Sequence, residues 1–200
     1  MHRLKEMNKK TNIIIFFVII LATFSRLFIT IPNFTAIGSL ALFCGAILGR
    51  HKFSMLIPFM ALLAGDLILA LTDKLHADYL FSTGYFIFVY LGFALTWLIG
   101  KTLKNRLKIG NVVLASLASS VSFFVITNFG SWLQIAFYPK TLAGLGEAYW
   151  NGIIFYRPEL FGSFFWNLVM ADLFFNLLFF GGYILVKNMN SKLEPIRLKS

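Results

Sequence analysis

"NVVLASLASSVSFFVITNFGSWLQI" occupies residues 111–135. The stretch contains no Lys, Arg, Asp or Glu. At about 1.5 Å per residue, a helix of this length reaches about 37 Å, more than the roughly 30 Å of a bilayer's hydrocarbon core. It reads as a membrane-crossing helix. Its second half behaves differently. From 127 to 145 the chain runs "TNFGSWLQIAFYPKTLAGL", where Asn128, Trp132, Gln134, Tyr138 and Lys140 follow one another between Gly130 and Pro139. A helix that merely stops needs only a cap. So many hydrogen-bonding groups at one helix end predict the wall of a small-molecule pocket.

The rest of the chain shares the apolar character. Of its 200 residues, 58% are hydrophobic and 24 are Phe, with a mean hydropathy of +0.78. Average soluble domains stay near 45–50% apolar even when Gly is counted. Apolar blocks at 12–31, 35–49, 53–72, 80–100, 111–135 and 162–187 predict an all-α, polytopic membrane protein with six transmembrane helices. The block at 35–49 is short, and must tilt or be extended by its neighbours. Trp97, Trp132 and Trp166 fall near predicted span ends, where indoles favour the interface. Residues 1–200 read as one integral membrane domain. The single cysteine, Cys44, permits no internal disulfide.

The net charge of +10 resolves by position. Fourteen of the eighteen Lys and Arg residues lie on one side: Arg3 to Lys10, Arg50 and Lys52, Lys101 to Lys108, and Lys187 to Lys199. Basic flanks mark the cytoplasmic side. Both termini are therefore expected in the cytoplasm, as an even number of spans requires. The charge is then a topology signal with affinity for membrane lipid, and nucleic acid is not an expected partner. The basic start and "IIIFFVIIL" resemble a signal peptide, but "ATFSR" offers no small-x-small cleavage site. An uncleaved first helix is expected.

Polar residues recur where hydrocarbon should be. Arg26 sits about 21 Å above the inner edge of the first span. Asp66 lies at a similar height, Asn128 slightly higher, and Asp172 near the midplane. Charges at such depth cost about 2.5–3.5 kcal/mol on insertion scales, so they pair or serve a function. Arg26 can neutralise only one acid, Asp66 or Asp172. The other must be protonated, solvated or bound to something.

The outer loops supply further candidates. Pro32 and Asn33 form a tight turn in "TIPNFTA". Asp73, His76 and Asp78 have a metal-like spacing, but a solvated loop is the expected reading, and no metal site is assigned. Residues 136–161 form a long loop holding Tyr138, Lys140, Glu147, Tyr149, Trp150, Asn151, Tyr156, Arg157 and Glu159. Long loops in compact proteins are often lids or binding loops, and aromatics with isolated polar groups line small-molecule pockets. Ala41, Gly45 and Gly49, four apart, predict close helix packing in the second span. Ala115, Ala118, Ser119 and Ser122 predict a second small face in the fifth.

Four stretches carry a wider likeness: "RLFITIPNFTAIGSLALFCGAILG" (26–49), "PFMALLAGDLIL" (58–69), "ASLASSVSFFVITNFGSWLQIAFYPKTLAGLGEAYWNGIIF" (115–155) and "ADLFFNLLFFGGY" (171–183). They resemble a family of uncharacterised bacterial membrane proteins grouped with the substrate-binding (S) components of energy-coupling-factor (ECF) vitamin transporters. The resemblance implies a six-helix bundle in the bacterial cytoplasmic membrane with an extracellular pocket under its outer loops. It implies a transmembrane coupling subunit and two ATPases as partners. The positions carried over are Arg26, Pro32, Asn33, Phe34, Asp66, Asn128, Trp132, Tyr138, Pro139, Lys140, Thr141, Gly144 and Asp172. The first span has Ala22 and Ser25 but lacks the Ala-xxx-Ala ladder with which S components meet their coupling protein.

The expected function is a non-enzymatic, cofactor-free subunit that captures a vitamin-like small molecule. Its substrate-binding residues are expected to be Arg26, Asn33, Asp66, Asn128, Trp132, Tyr138, Lys140, Tyr149 and Asp172. No GxxxxGK[ST] motif is present, so energy must come from a partner. Two alternatives stand beside it: an intramembrane enzyme in which Asp66 and Asp172 share a proton, and a membrane scaffold without transport.

Overall fold

The computed structural model describes residues 2–28, 31–49, 51, 53–72, 85–134, 136–154 and 162–197. Among them are seven helices and no strand: α1 His2–Phe28, α2 Ile37–Leu48, α3 Leu56–Leu71, α4 Tyr85–Thr102, α5 Ile109–Gln134, α6 Leu142–Ile154 and α7 Phe164–Arg197. The six apolar blocks fall on six of these. The helix α5 lies within two residues of the expected 111–135. The helices α1 and α7 run well beyond the expected 12–31 and 162–187 into their basic flanks. The expected start of the fourth span, residues 80–84, lies outside the described residues.

Two helical stretches, 109–134 and 164–188, are long and apolar enough to cross a membrane. Four apolar stretches are shorter: Ile15–Leu27, Ile37–Leu48, Leu56–Leu71 and Phe86–Thr102. The shortest explains itself by position. With 12 residues, α2 reaches only about 18 Å. Of the two expectations for it, tilt or extension, the helix is not extended beyond Ile37–Leu48 among the described residues. Instead it packs against α1, α3, α4, α5 and α7, and every residue from Ala36 to Ala46 is buried. It is the core of the bundle rather than part of its wall.

Small residues let the wall close on that core. A Cβ on Gly45 would strike the Trp97 carbonyl of α4, and a Cβ on Gly100 would strike the Leu42 backbone of α2. The two glycines thus let the α2 and α4 backbones touch, as the predicted ladder requires. Around Phe43 the interior is aromatic. Its ring meets Phe179, Phe180 and Tyr183 at centroid distances of 6.2, 5.2 and 5.9 Å, the edge-on range that aromatic quadrupoles prefer. The α2–α3 turn is tied to α4 by the Trp97 indole N–H, which donates to Ser54 Oγ at 3.2 Å.

The bundle has an apolar surface as well as an apolar core, and several polar residues are buried. Ser39, Ser116, Ser119, Ser120, Asp172 and Asn176 are buried. Phe16, Met60, Leu91, Leu114 and Phe174, from five different helices, are more than half exposed. Large apolar side chains exposed on so many helices are what a membrane-embedded or otherwise covered surface presents.

Candidate functional site

The predicted site residues separate into three groups. The first joins α1 to α3. Arg26 Nε and Nη2 both donate to Asp66 Oδ1, a charge-assisted contact. Gly65 leaves room for it, since a Cβ there would lie 3.1 Å from Arg26 Cδ. Arg26 therefore takes Asp66, and Asp172 is the acid left over. The two carboxylates are not hydrogen-bonded to each other: Asp66 Oδ1 holds Arg26, Asp172 Oδ2 holds Ser120, and Asp172 Oδ1 has no partner.

The second group is the polar seam around Asp172, between α2, α5 and α7. On α7, Asp172 and Asn176 are four apart and share a face. On α5, Ser116 and Ser120 do the same. Ser120 Oγ donates to Asp172 Oδ2 at 2.7 Å, and Asn176 Nδ2 donates to Ser116 Oγ at 3.0 Å. From α2, Ser39 Oγ donates to the Asp172 carbonyl at 3.3 Å. Beside it, Gly38 offers no side chain: a Cβ there would lie 2.6 Å from Asp172 Oδ1. Among the described residues three buried atoms on α5 and α7 have no hydrogen-bond partner: Asp172 Oδ1 and Asn176 Oδ1 in this seam, and Ser119 Oγ. Buried polar groups are nearly always paired, so three orphans on these two packed helices require a reason.

The small face predicted on the fifth span is rotated by about one residue. Ala115 and Ser119 are buried as expected, but Ala118 is exposed and Ser122 only half-buried, while Ser116 and Ser120 point inward. Sequence reasoning missed Gly38, Ser39, Ser116, Ser120 and Asn176. The available signal was the matching i, i+4 spacing of Ser116 with Ser120 and of Asp172 with Asn176.

The third group closes the end of α5. Trp132 Nε1 donates to the Pro139 carbonyl at 2.8 Å, and Lys140 Nζ donates to the Trp132 carbonyl and, at 3.4 Å, to that of Tyr138. A cation on the last carbonyls of a helix satisfies orphan acceptors and favours the negative end of its dipole. Asn128 Nδ2 donates to the Phe124 carbonyl of its own helix at 2.9 Å. The donors of Asn128, Trp132 and Lys140 are thus engaged within the chain.

The loop expected at 136–161 is not a plain lid, because it contains α6. The Thr141 hydroxyl accepts the Gly144 N–H at 3.1 Å, a side-chain cap. The helix then lies against α5. Gly144, Ala148 and Gly152, spaced by four, form its buried face, and Tyr149 Oη donates to the Val125 carbonyl at 3.0 Å. Tyr156, Arg157 and Glu159 lie outside the described residues, as do Asp73, His76 and Asp78. Asn33, with φ of 60°, donates to the Phe164 carbonyl at 3.4 Å, and Asn167 Nδ2 donates to the Pro32 carbonyl at 3.0 Å. These bonds pin the α1–α2 turn to the start of α7.

Two concave regions stand out. One, of about 520 Å³, is an apolar groove between α4 and α5 that Tyr149 borders. The other, of about 580 Å³, lies at the basic end of the bundle. Of the nine predicted site residues, Tyr149 alone lines either of these two.

A model of one protein family matches residues 6–193, a range that takes in all nine residues. The chain belongs to that family, a family of unknown function (DUF6580). No curated protein matches the chain, and no solved structure does. The range matched by DUF6580 takes in five of the seven helices whole and all but the outer ends of α1 and α7, so the three groups sit within it.

Proposed function

We propose that the protein is a six-span subunit of the bacterial cytoplasmic membrane that captures a small molecule from outside, built like an ECF S component. The observation that carries this reading is the Asp172 seam. A carboxylate without a cation among the described residues, at membrane depth, is costly and marks a functional site by default. Its orphaned oxygen Oδ1, with those of Asn176 and Ser119, is an acceptor that N–H or O–H groups of a ligand, or a cation, would satisfy. The apolar exterior supports membrane embedding, and the basic flanks support cytoplasmic termini. Arg26 and Asp66 act as a structural pair that neutralises itself. Trp132, Lys140 and Tyr149 hold α6 over the end of α5, and Asn33 orders the turn above α7. The subunit draws energy from a coupling partner with ATPases.

Mass spectrometry of small molecules retained on detergent-purified protein tests the reading. Wild type should carry a bound compound that Asp172→Asn loses while keeping its fold. A ligand-free wild type combined with an Asp172→Leu variant that melts at a higher temperature would assign the seam to structure alone.

A further inference from the structure

The cleft of about 580 Å³ at the basic end belongs to none of the three groups above. Its charged lining comes from two distant parts of the chain. Lys101, Lys104, Arg106 and Lys108 come from the end of α4 and the turn to α5, and Lys187 comes from α7. Tyr183 adds a phenol. Among the described residues no carboxylate lines the cleft, and none of the five cations is in a salt bridge. A topology signal needs only charges near span ends. It does not need residues some eighty positions apart to face one concavity.

The turn is built to present these charges. In "KTLKNRLK" (101–108), Leu103 is buried in the core and Leu107 packs partly against it. Lys104, Arg106 and Lys108 are consequently exposed. Backbone bonds from Leu103 N to the Gly100 carbonyl (3.0 Å) and from Arg106 N to the Leu103 carbonyl (2.8 Å) fix the loop. Asn105 takes the left-handed conformation at φ 63°, which Asn tolerates better than most residues. Asn111 Nδ2 holds the Arg106 carbonyl at 2.8 Å. Lys101 Nζ is set over the Trp97 ring, 4.6 Å from its centroid. The first turn of α5 carries no acidic residue to offset its positive dipole end.

We infer that this cleft binds a phosphate-bearing anion, either a lipid headgroup or a soluble phosphate compound. Planar Arg and point-charge Lys donors on a rigid turn suit phosphate oxygens. The apolar floor provided by Ile47 and Leu107 suits the carbon attached to them. The inference stands on the cleft alone and does not depend on the Asp172 reading.

The test uses full-length protein in neutral detergent. Binding is measured for inorganic pyrophosphate by thermal shift and for phosphatidylglycerol against phosphatidylcholine, supplied as an equimolar mixture, by native mass spectrometry. The variant Arg106→Gln with Lys187→Gln removes two exposed cleft charges. The variant Ala143→Glu with Gly146→Glu changes net charge equally on the exposed face of α6. The cleft variant should weaken anion binding by about tenfold or more, while the α6 variant leaves it within about twofold of wild type. Lys104→Gln, a single exposed change, provides the same reading should the double variant fold poorly. Preference for phosphatidylglycerol without response to pyrophosphate identifies a headgroup site, and the converse identifies a soluble ligand. Either supports the inference. Binding of neither probe, or equal losses in the cleft and α6 variants, overturns it.

Discussion

The Ser120 hydroxyl of α5 donates to one carboxylate oxygen of Asp172 on α7 at 2.7 Å, while the other oxygen lies against Gly38 of α2 without a partner. This relationship makes a contrast testable. Ser120→Ala removes the donor and should destabilise the protein by about 1–3 kcal/mol, the cost of an unsatisfied buried group. Gly38→Ala should instead push a methyl into the orphaned oxygen, with an overpacking cost of about 1–3 kcal/mol. If that oxygen faces the ligand, Gly38→Ala abolishes ligand retention even at temperatures where the fold persists. Melting curves and retained-ligand mass on the same preparations separate the two effects.

The Arg26–Asp66 contact predicts a selective rescue. Arg26→Leu strands a carboxylate and should cost about 3–5 kcal/mol, as broken buried pairs do. Adding Asp66→Leu should recover most of that loss. Adding Asp172→Leu should recover none, because Arg26 does not reach the seam. Thermal melts of the single and double variants decide the point, and equal recovery in both doubles would refute the assignment.

The α2–α4 crossing depends on two glycines. Gly45→Val places its side chain on the Trp97 carbonyl and should destabilise by about 1–3 kcal/mol or more, because backbone cannot give way as a side chain can. Gly110→Ala is the control. Nothing lies within 4 Å of its added methyl, so reduced unfolded-state freedom should stabilise α5 by about 0.4–1 kcal/mol. Melting temperatures shifted in the same direction would argue against the close approach.

The end of α5 gives a local readout. Trp132→Phe keeps the ring and loses the bond to Pro139, worth about 0.5–1.5 kcal/mol. Lys140→Met loses the cap, worth about 0.3–1 kcal/mol. Both should raise amide exchange across α6 while leaving α2 and α7 protected and retained ligand unchanged. Asn128→Ala should change little, since among the described residues Asn128 Nδ2 donates to the Phe124 carbonyl of its own helix. Ligand loss in these variants without faster exchange would return them to the binding site.

Sidedness follows from the basic flanks. A reporter at Ser200 should read as cytoplasmic, and a cysteine replacing exposed Gly146 should react with an impermeant thiol reagent from outside. The native Cys44 is 0% exposed and should stay silent, so no cysteine-free background is required.

The sequence by itself determined the helices and their chemistry. An apolar run such as 111–135 favours a helix, whose backbone bonds are satisfied internally, and there the bounds agree within two residues, whereas α1 and α7 continue about ten residues into their basic flanks. The Lys and Arg residues cluster at alternate ends of the apolar runs, the pattern expected if basic flanks stay on the cytoplasmic side. It also determined that one acid would be left without Arg26. Which acid was a matter of helix adjacency: α1 lies against α3, so Arg26 meets Asp66, and Asp172 is left between α2, α5 and α7. Only the tertiary structure set the rotation of α5, because Ser116, Ala118, Ser119, Ser120 and Ser122 are similar in size and polarity and mark no single inward face. Only it showed that the 136–161 segment holds a helix, whose buried side is made of Gly144, Ala148 and Gly152 while Leu142 and Trp150 stay outside. Hydrophobic patterning looks for large residues inward, and here close backbone approach puts the small ones there. The basic cleft was illegible for a simpler reason. Lys101 and Lys187 are far apart in the chain, and packing of α4 and α7 around α2 is what brings them to one concavity.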